Sequence, residues 1–275
     1  MTGEARSARA FGSWLWTRPA TLEGMRELLY RLYERRLAAG LDVLPEHVGL
    51  ILDGNRRFAR ERGLGTAAAG HRLGARKVHE LLDWCAELGI PYVTLWLLST
   101  DNLRRDADEV ADLVEIIGET VDRIASRAPT VRVTPVGAID TLPDPLRRAL
   151  KHAAEATADG EDLHVQVAVG YGGRQEIVDA LRGLLTARRD RGDDLDAVID
   201  GLTLSEVAEH LYTTGTPDPD LIIRTSGEIR LSGFLLWQSV HSEFHFCDAY
   251  WPEFRRTDFL RALRDYASRQ RRFGG

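Results

Sequence analysis

Apolar residues follow two rhythms along this chain. Short runs rich in Val, Ile and Leu recur as VGLIL (48–52), YVTLWLLS (92–99), VRVTPVGA (131–138), LHVQVAVG (163–170), LIIRT (221–225) and EFHFCD (243–248). They read as apolar on both faces, the pattern of strands covered by helices on both sides of a mainly parallel sheet. Between most of them the spacing changes to that of a helix, as in HRLGARKVHELLDWCAELG and DEVADLVEIIGETVDRIASR. This alternation predicts an α/β fold, a single domain with a central, mostly parallel six-stranded sheet flanked by helices. The polar stretch ARRDRGDDLDAVIDG (187–201) reads as a loop or short insertion, and no internal repeat is present.

Residues 1–45 differ in character from the rest of the chain. Leu22, Met25, Leu28, Leu29, Leu32 and Leu37 recur at helical spacing among Arg and Glu, with Thr21 able to cap the start and Gly40 to end it. This extension therefore carries an amphipathic helix, and residues 46–275 form the main domain. Two roles stay open for the helix. It packs on the body, or it lies on a membrane surface with Trp14 and Trp16 as interfacial anchors. No apolar run approaches the roughly 18–20 residues of a membrane span. Two cysteines, Cys85 and Cys247, without C-x-x-C spacing fit a reducing compartment. The expectation is a cytoplasmic protein, with peripheral contact at the inner face of the plasma membrane as the alternative. The 36 basic and 42 acidic residues give a net charge of −6, which argues against a nucleic-acid partner. Any anion site must be a local cluster of arginines.

Such clusters stand at the ends of predicted strands, where ligands bind in open α/β sheets. HVGLILDGNRRFARERG (47–63) places Asp53 at a strand mouth, then Gly54 for a tight turn, Asn55 as a possible helix cap, and Arg56 and Arg57 behind it. Free helix-start N–H groups and guanidiniums make an anion site. A lone carboxylate beside them suits Mg²⁺, which takes one or two carboxylates plus phosphate oxygens and water. The bland reading is that Asp53 only caps the helix. A phosphatase with an Asp nucleophile is disfavoured because Asn55 stands where its second acid would be. LIIRTSGEIRLSGFLLWQ (221–238) gathers Arg224, Glu228, Arg230 and Ser232, a set suited to a diphosphate. STDNLRRD (99–106) offers Asn102 and Arg105, and GYGGR (170–174) adds a glycine-rich turn. Polar strand ends in front of apolar strands suit a ligand with a diphosphate head and a hydrocarbon tail.

HVGLILDGNRRFA, GHRLGARK, STDNLRR, GYGGRQEI, IRTSGEIRLSGFLLWQ, EFHF, WPEF and RRFGG, in this order from His47 to Phe273, resemble the cis-prenyltransferases, or Z-isoprenyl diphosphate synthases. Within that family the chain is similar to short-chain actinobacterial Z-farnesyl diphosphate synthases. The resemblance implies a hydrophobic tunnel between helices and sheet, usually in a homodimer, and isoprenyl diphosphates as substrates. It implies that Asp53 binds Mg²⁺ and assists departure of the allylic diphosphate, and that Asn102 lies near the reacting carbons. Gly54, Asn55, Arg56, Arg57, Phe58, His71, Ser99 and Arg105 would serve the substrate, Arg57, His71 and Arg105 at the allylic diphosphate. Arg224, Arg230 and Ser232 would hold isopentenyl diphosphate, and Glu243 matches an acid associated with magnesium. One subset of Trp96, Leu97 and Leu98 must line the tunnel, because successive strand residues face opposite sides. By resemblance Leu97 faces the growing chain, where long-chain relatives carry a smaller residue. The implied product is Z,E-farnesyl diphosphate from a geranyl starter. The alternatives are a medium- or long-chain synthase and a non-catalytic subunit of the same fold, the latter opposed by Asp53 and the intact arginines. The chain departs from the family's pattern at Arg56, often Gly, at Leu103 and Asp106, and in GLGTAAAG, which lacks an expected arginine.

Overall fold

The computed structural model describes residues 29–30 and 32–269. Trp14, Trp16, Thr21, Leu22, Met25 and Leu28, on which the membrane-surface reading depends, lie outside the described residues, as does the terminal RRFGG. Residues 32–38 are helical. Leu37 is buried in the main core, the Tyr33 ring lies 5.5 Å from the Arg261 guanidinium, and Leu29 and Leu32 are exposed.

The six strands form at the expected places: β1 His47–Ile51, β2 Tyr92–Ser99, β3 Val131–Val136, β4 Leu163–Tyr171, β5 Leu221–Arg224 and β6 Glu243–Phe246. They make one sheet in the order β3-β4-β2-β1-β5-β6, and every pairing is parallel. The helices are α1 Asn55–Glu61, α2 Ala67–Leu88, α3 Ala107–Ala125, α4 Asp144–Ala156, α5 Gly173–Arg191, α6 Leu195–Asp200, α7 Leu204–Ala208 and α8 Arg256–Ser268. Because the strands run the same way, all their carboxyl ends share one edge. β1 is central, with β2 on one side and β5 on the other, and Ile51 is level with both Trp96 and Arg224. This is the switch point of the sheet, where an α/β fold opens a crevice.

The two faces of the sheet differ. Val48, Leu50, Val93, Leu95 and Ile223 bury against Val78 and Leu82 of α2, Leu113 and Ile117 of α3, Leu146 of α4 and Phe259 of α8. On the other face Ile51, Ala168, Tyr171 and Ile222 pack with Phe234 and Leu235. That face also carries a buried polar chain. His47 Nε2 lies 2.8 Å from Thr94 Oγ1, which donates to Gln166 Oε1, and Gln166 Nε2 donates to Thr216. The strands are therefore not apolar on both faces throughout. Paired in this way, the buried polar groups avoid the cost of lost water.

Two local features depart from the simple pattern. Residues 187–201 are mostly helical. α5 runs to Arg191 and ends at Gly192 with φ 84°, and the Asp194 side chain caps α6. Leu195 and Ile199 of α6 are exposed, so its apolar residues give no core-facing stripe to read. The second feature is in β2. Trp96 pairs with Ala168 and Leu98 with Val169, leaving Leu97 as an extra residue, a β-bulge. Strict alternation would send Leu98 to the face opposite Leu97. Instead Leu98 is fully buried in the main core and Leu97 packs beside it.

α2 crosses the start of α1 so closely that only glycine fits. A Cβ on Gly74 would stand 2.2 Å from Asn55 Oδ1 and 2.8 Å from the Trp251 ring. The Trp251 indole N–H donates to the Gly74 carbonyl at 2.8 Å. Gly74→Ala should therefore force α1 and α2 apart and cost about 1–3 kcal/mol. Urea denaturation checks this: a lowered midpoint at unchanged slope is expected, and an unshifted midpoint refutes the close approach.

Candidate active site

A pocket of about 490 Å³ opens at the carboxyl edge of β1, β2 and β5. Its mouth is polar. After Ile51 the chain passes Leu52 to Asp53, whose backbone N–H donates to the Ile51 carbonyl and whose carbonyl accepts from Trp251 N–H and Thr225 Oγ1. Gly54 follows with φ 107°, and a Cβ there would meet the Tyr250 ring at 2.7 Å. The turn is thus restricted to glycine by both conformation and space. Asn55 is not the cap of α1. Gly54 occupies that position, no side chain caps the helix, and Asn55 Nδ2 donates back to the Leu52 carbonyl. The first N–H groups of α1 consequently have no side-chain acceptor.

The Asp53 carboxylate is the centre of the mouth. Its Oδ2 accepts from Arg224 Nη2 at 2.8 Å and its Oδ1 lies 3.4 Å from Arg57 Nη2. Partial burial alone would disfavour the charged form. The Arg224 hydrogen bond and charge, with Arg57 and the Ser226 hydroxyl, outweigh it and hold the carboxyl below the ordinary range. Arg224 is 5% exposed and also donates to Ser232 Oγ at 2.8 Å and to the Arg230 carbonyl. Arg57 donates to Ser226 Oγ at 2.6 Å and to Glu228 at 3.1 Å, and Glu228 in turn binds Arg230. One connected network thus joins the arginines of the first and second motifs. The loop that carries it holds Ser226 at φ 79° and Ser232 at φ 52°, a left-handed backbone that non-glycine residues adopt at a cost, typically at functional sites.

The third strand end closes the mouth. Ser99 Oγ accepts from the Asn102 N–H at 3.1 Å and Asn102 Oδ1 accepts from the Ser99 N–H at 3.3 Å, so the two fix each other. Arg105 donates to Glu109 at 2.8 Å, and Arg56 lies 3.4 Å from the same carboxylate. His71 lies with them on the pocket wall. Burial first, then the positive charges of Arg105 and Arg56, lower its pKa to about 4, so the ring is neutral at pH 7. His71 Nε2, Asn55 Oδ1, Trp96 Nε1 and Arg224 Nε are buried polar atoms without a partner. Unpaired buried groups are rare in a fold, and these four all belong to residues that line the pocket.

Behind the mouth the wall turns apolar. Val78, Leu97, Leu113, Ile116 and Ile117 line it, with Trp96, whose ring stacks on Phe234 at 5.2 Å. Of the expected residues, the pocket brings together Asp53, Gly54, Asn55, Arg56, Arg57, His71, Leu97, Ser99, Asn102, Arg105, Arg224, Arg230 and Ser232. It does not take in Phe58, whose ring lies 5.8 Å from the Arg62 guanidinium. Nor does it include Glu243, which starts β6 level with Leu221 at the opposite edge of the sheet and pairs with Arg269. Within this chain Glu243 and Asp53 are not neighbours, because a parallel strand carries its first residue to the far edge. Among the described residues no group of three or more His, Cys, Asp or Glu side chains converges on a metal position. Glu109 is absent from the residues expected at the site, although its place four residues after Arg105 is a readable signal.

The parallel sheet thus carries at its switch point a pocket with a cationic, carboxylate-centred mouth and an apolar wall behind it. The chain belongs to the cis-prenyltransferase family: residues 51–274 match the family model described as "Putative undecaprenyl diphosphate synthase". It is a prenyltransferase. A (2Z,6E)-farnesyl diphosphate synthase of Thermobifida fusca is 57% identical over 91% of this chain and 98% of that protein. A short-chain Z-isoprenyl diphosphate synthase of Mycobacterium bovis is 51% identical over 91% of this chain and 97% of its own. The crystal structure of lavandulyl diphosphate synthase from Lavandula x intermedia, in complex with dimethylallyl diphosphate, superposes with a TM-score of 0.78 at 34% identity, covering 84% of this chain and 99% of that one.

The buried histidines make stability depend on pH. Burial is the main cause that lowers His47, His71 and His79 to about 4, against 6.5 in an unfolded chain. Between these values the unfolded chain binds protons that the folded one refuses. Stability is therefore full above about pH 6.5 and falls as pH drops toward 4. His71→Asn should reduce the loss between pH 7 and 5 by about 1–2 kcal/mol. Urea midpoints at the two pH values decide; an unchanged slope in the variant contradicts a neutral, buried His71.

Proposed function

We propose that this chain condenses isopentenyl diphosphate with one short allylic diphosphate, geranyl diphosphate, and stops at Z,E-farnesyl diphosphate. The observation that carries the reading is one pocket in which two arginine groups flank Asp53 at the mouth while Leu97 and α3 line the apolar part. The names of the Thermobifida and Mycobacterium relatives support the short product. The volume of about 490 Å³ lies in the lower part of the ~300–1,000 Å³ typical of small-molecule sites.

In this reading Arg57, Arg56, Arg105 and His71 face the allylic diphosphate, and Arg224, Arg230 and Ser232 hold that of isopentenyl diphosphate. Asp53 stands between the two sets. Its carboxylate has four lone-pair sites, of which the two arginines occupy part, so lone pairs remain that could hold a magnesium ion. One carboxylate completed by diphosphate oxygens and water fits Mg²⁺. When bound, the ion supplies neutralisation of the leaving diphosphate. The C–O bond of the allylic substrate breaks with its electron pair going to that diphosphate, whose charge the arginines receive. The double bond of the second substrate attacks the allylic carbon, Asn102 borders the reacting carbons, and a proton leaves to form the Z alkene. The apolar wall keeps water from the allylic cation. The homodimer and a cytoplasmic place, with or without contact at the membrane face, belong to the same reading. No helix of the described residues is long and apolar enough to cross a membrane.

The direct test incubates the chain with Mg²⁺, geranyl diphosphate and radiolabelled isopentenyl diphosphate and chromatographs the dephosphorylated products. A fifteen-carbon Z,E alcohol is expected, on the order of one condensation per starter; no incorporation would overturn the reading.

Asp53→Ala should lower kcat by about 10²–10³-fold, because the group acts on charge that develops in the transition state, and should lower the melting temperature because Arg224 loses its carboxylate partner, while circular dichroism at room temperature still shows the native secondary structure. Near-wild-type kcat refutes the role.

Leu97→Ala should lengthen the product and cost roughly 2–3 kcal/mol of stability, since the deleted atoms leave space in a packed wall. Chromatography decides the first effect: a wild type that already makes chains of about ten or more isoprene units, or a variant with unchanged products, counts against length control at this position.

A further inference from the structure

Two of the arginines at the mouth are held by one carboxylate. Glu109 is in the first turn of α3. Its Oε1 accepts from Arg105 Nη1 at 2.8 Å, and both its oxygens stand 3.4 Å from Arg56 Nη1. Arg56 belongs to α1 and Arg105 to the turn after β2, so the carboxylate ties three elements together across the opening. Its own exposure of 21% compares with 55% for Arg56 and 26% for Arg105, so the bridge lies at the lip of the pocket and not on open surface.

The geometry has a specific consequence. Each guanidinium gives only Nη1 to Glu109. Among the described residues no other side-chain hydrogen bond engages Arg56 or Arg105, and both residues line the pocket. A guanidinium is a rigid planar fork, so fixing one Nη fixes where the remaining N–H groups point. The carboxylate also offsets the repulsion of two cations brought to one side of the opening. Nothing comparable links Glu109 to the second set: Arg224 is fixed by Asp53 and Ser232, and Arg230 by Glu228.

We propose that Glu109 is the positioning residue of the allylic head-group site, aligning Arg56 and Arg105 for one diphosphate while leaving the other substrate's site untouched. This rests on the assignment of Arg56 and Arg105 to the allylic diphosphate. Glu109 touches no substrate itself and acts through the two arginines.

The test is a steady-state comparison of wild type, Glu109→Ala, Glu109→Gln and Arg105→Ala, with geranyl and isopentenyl diphosphates varied in turn. Loss of charge-assisted alignment should raise KM for the allylic substrate roughly tenfold in Glu109→Ala and leave KM for isopentenyl diphosphate within about twofold. Glu109→Gln keeps one acceptor oxygen of the same reach but loses the charge and should recover part of the loss. A purely structural role would move both KM values together and would not be rescued by Gln. Equal KM changes, or none in Glu109→Ala, overturn the inference. If Arg105→Ala itself spares the allylic KM, the assignment of the two head-group sites fails and the inference falls with it; if Arg105→Ala raises that KM and Glu109→Ala does not, only the inference fails.

Discussion

The ion pair between Asp53 and Arg224 is the constraint on which the site is built. Arg224 ends β5 almost fully buried, and a buried guanidinium without a partner is strongly destabilising. Its carboxylate partner comes from the β1 side, where Ile51 is level with it. The turn after Ile51 supplies that partner two residues later, and Gly54 lets the chain leave without a clash. The other Nη of Arg224 reaches Ser232 and the Arg230 carbonyl, so the same guanidinium shapes the 226–235 loop into its left-handed turns. Backbone strain and buried charge are thus parts of one solution. Loss of either residue would leave the other charge in a half-buried mouth.

A consequence is that the pocket's anion-binding groups are pre-arranged. Asp53 is held below the ordinary carboxylate range against the effect of burial, so its charge is present throughout the physiological range. Ser99 and Asn102 lock each other, and Arg57 is shared between Ser226 and Glu228. Groups aimed in advance at developing charge need no reorganisation during a reaction, which is where electrostatic catalysis gains most.

Much of this is legible in the chain. Six apolar runs become six strands, because β-branched residues between turn signals have few other stable places. The charged residues after β1, β2 and β5 meet in one pocket because parallel strands deliver their carboxyl ends to one edge, whereas the turn GYGGR at the end of β4 does not line it. What cannot be read is equally physical. Glu243 matches a metal partner for Asp53 by motif, yet its position at the start of β6 depends on register, which residue spacing does not reveal. Asn55 has the chemistry of a cap, but the close approach of Gly74 recruits it to packing. The helical character of 187–201 is hidden because its apolar residues face outward. The bulge at Leu97 needs the partner strand to be seen at all.

That bulge separates two demands that usually conflict in a sheet. A side chain that pairs across a ladder cannot change size without disturbing neighbours on both strands. Leu97 lies between the paired residues Trp96 and Leu98, outside the register. Its bulk can therefore change without breaking the pairing of the strands, although not without a cost in packing against the main core. A substitution at Leu97 would remake part of the pocket wall and leave the register of the sheet as it is.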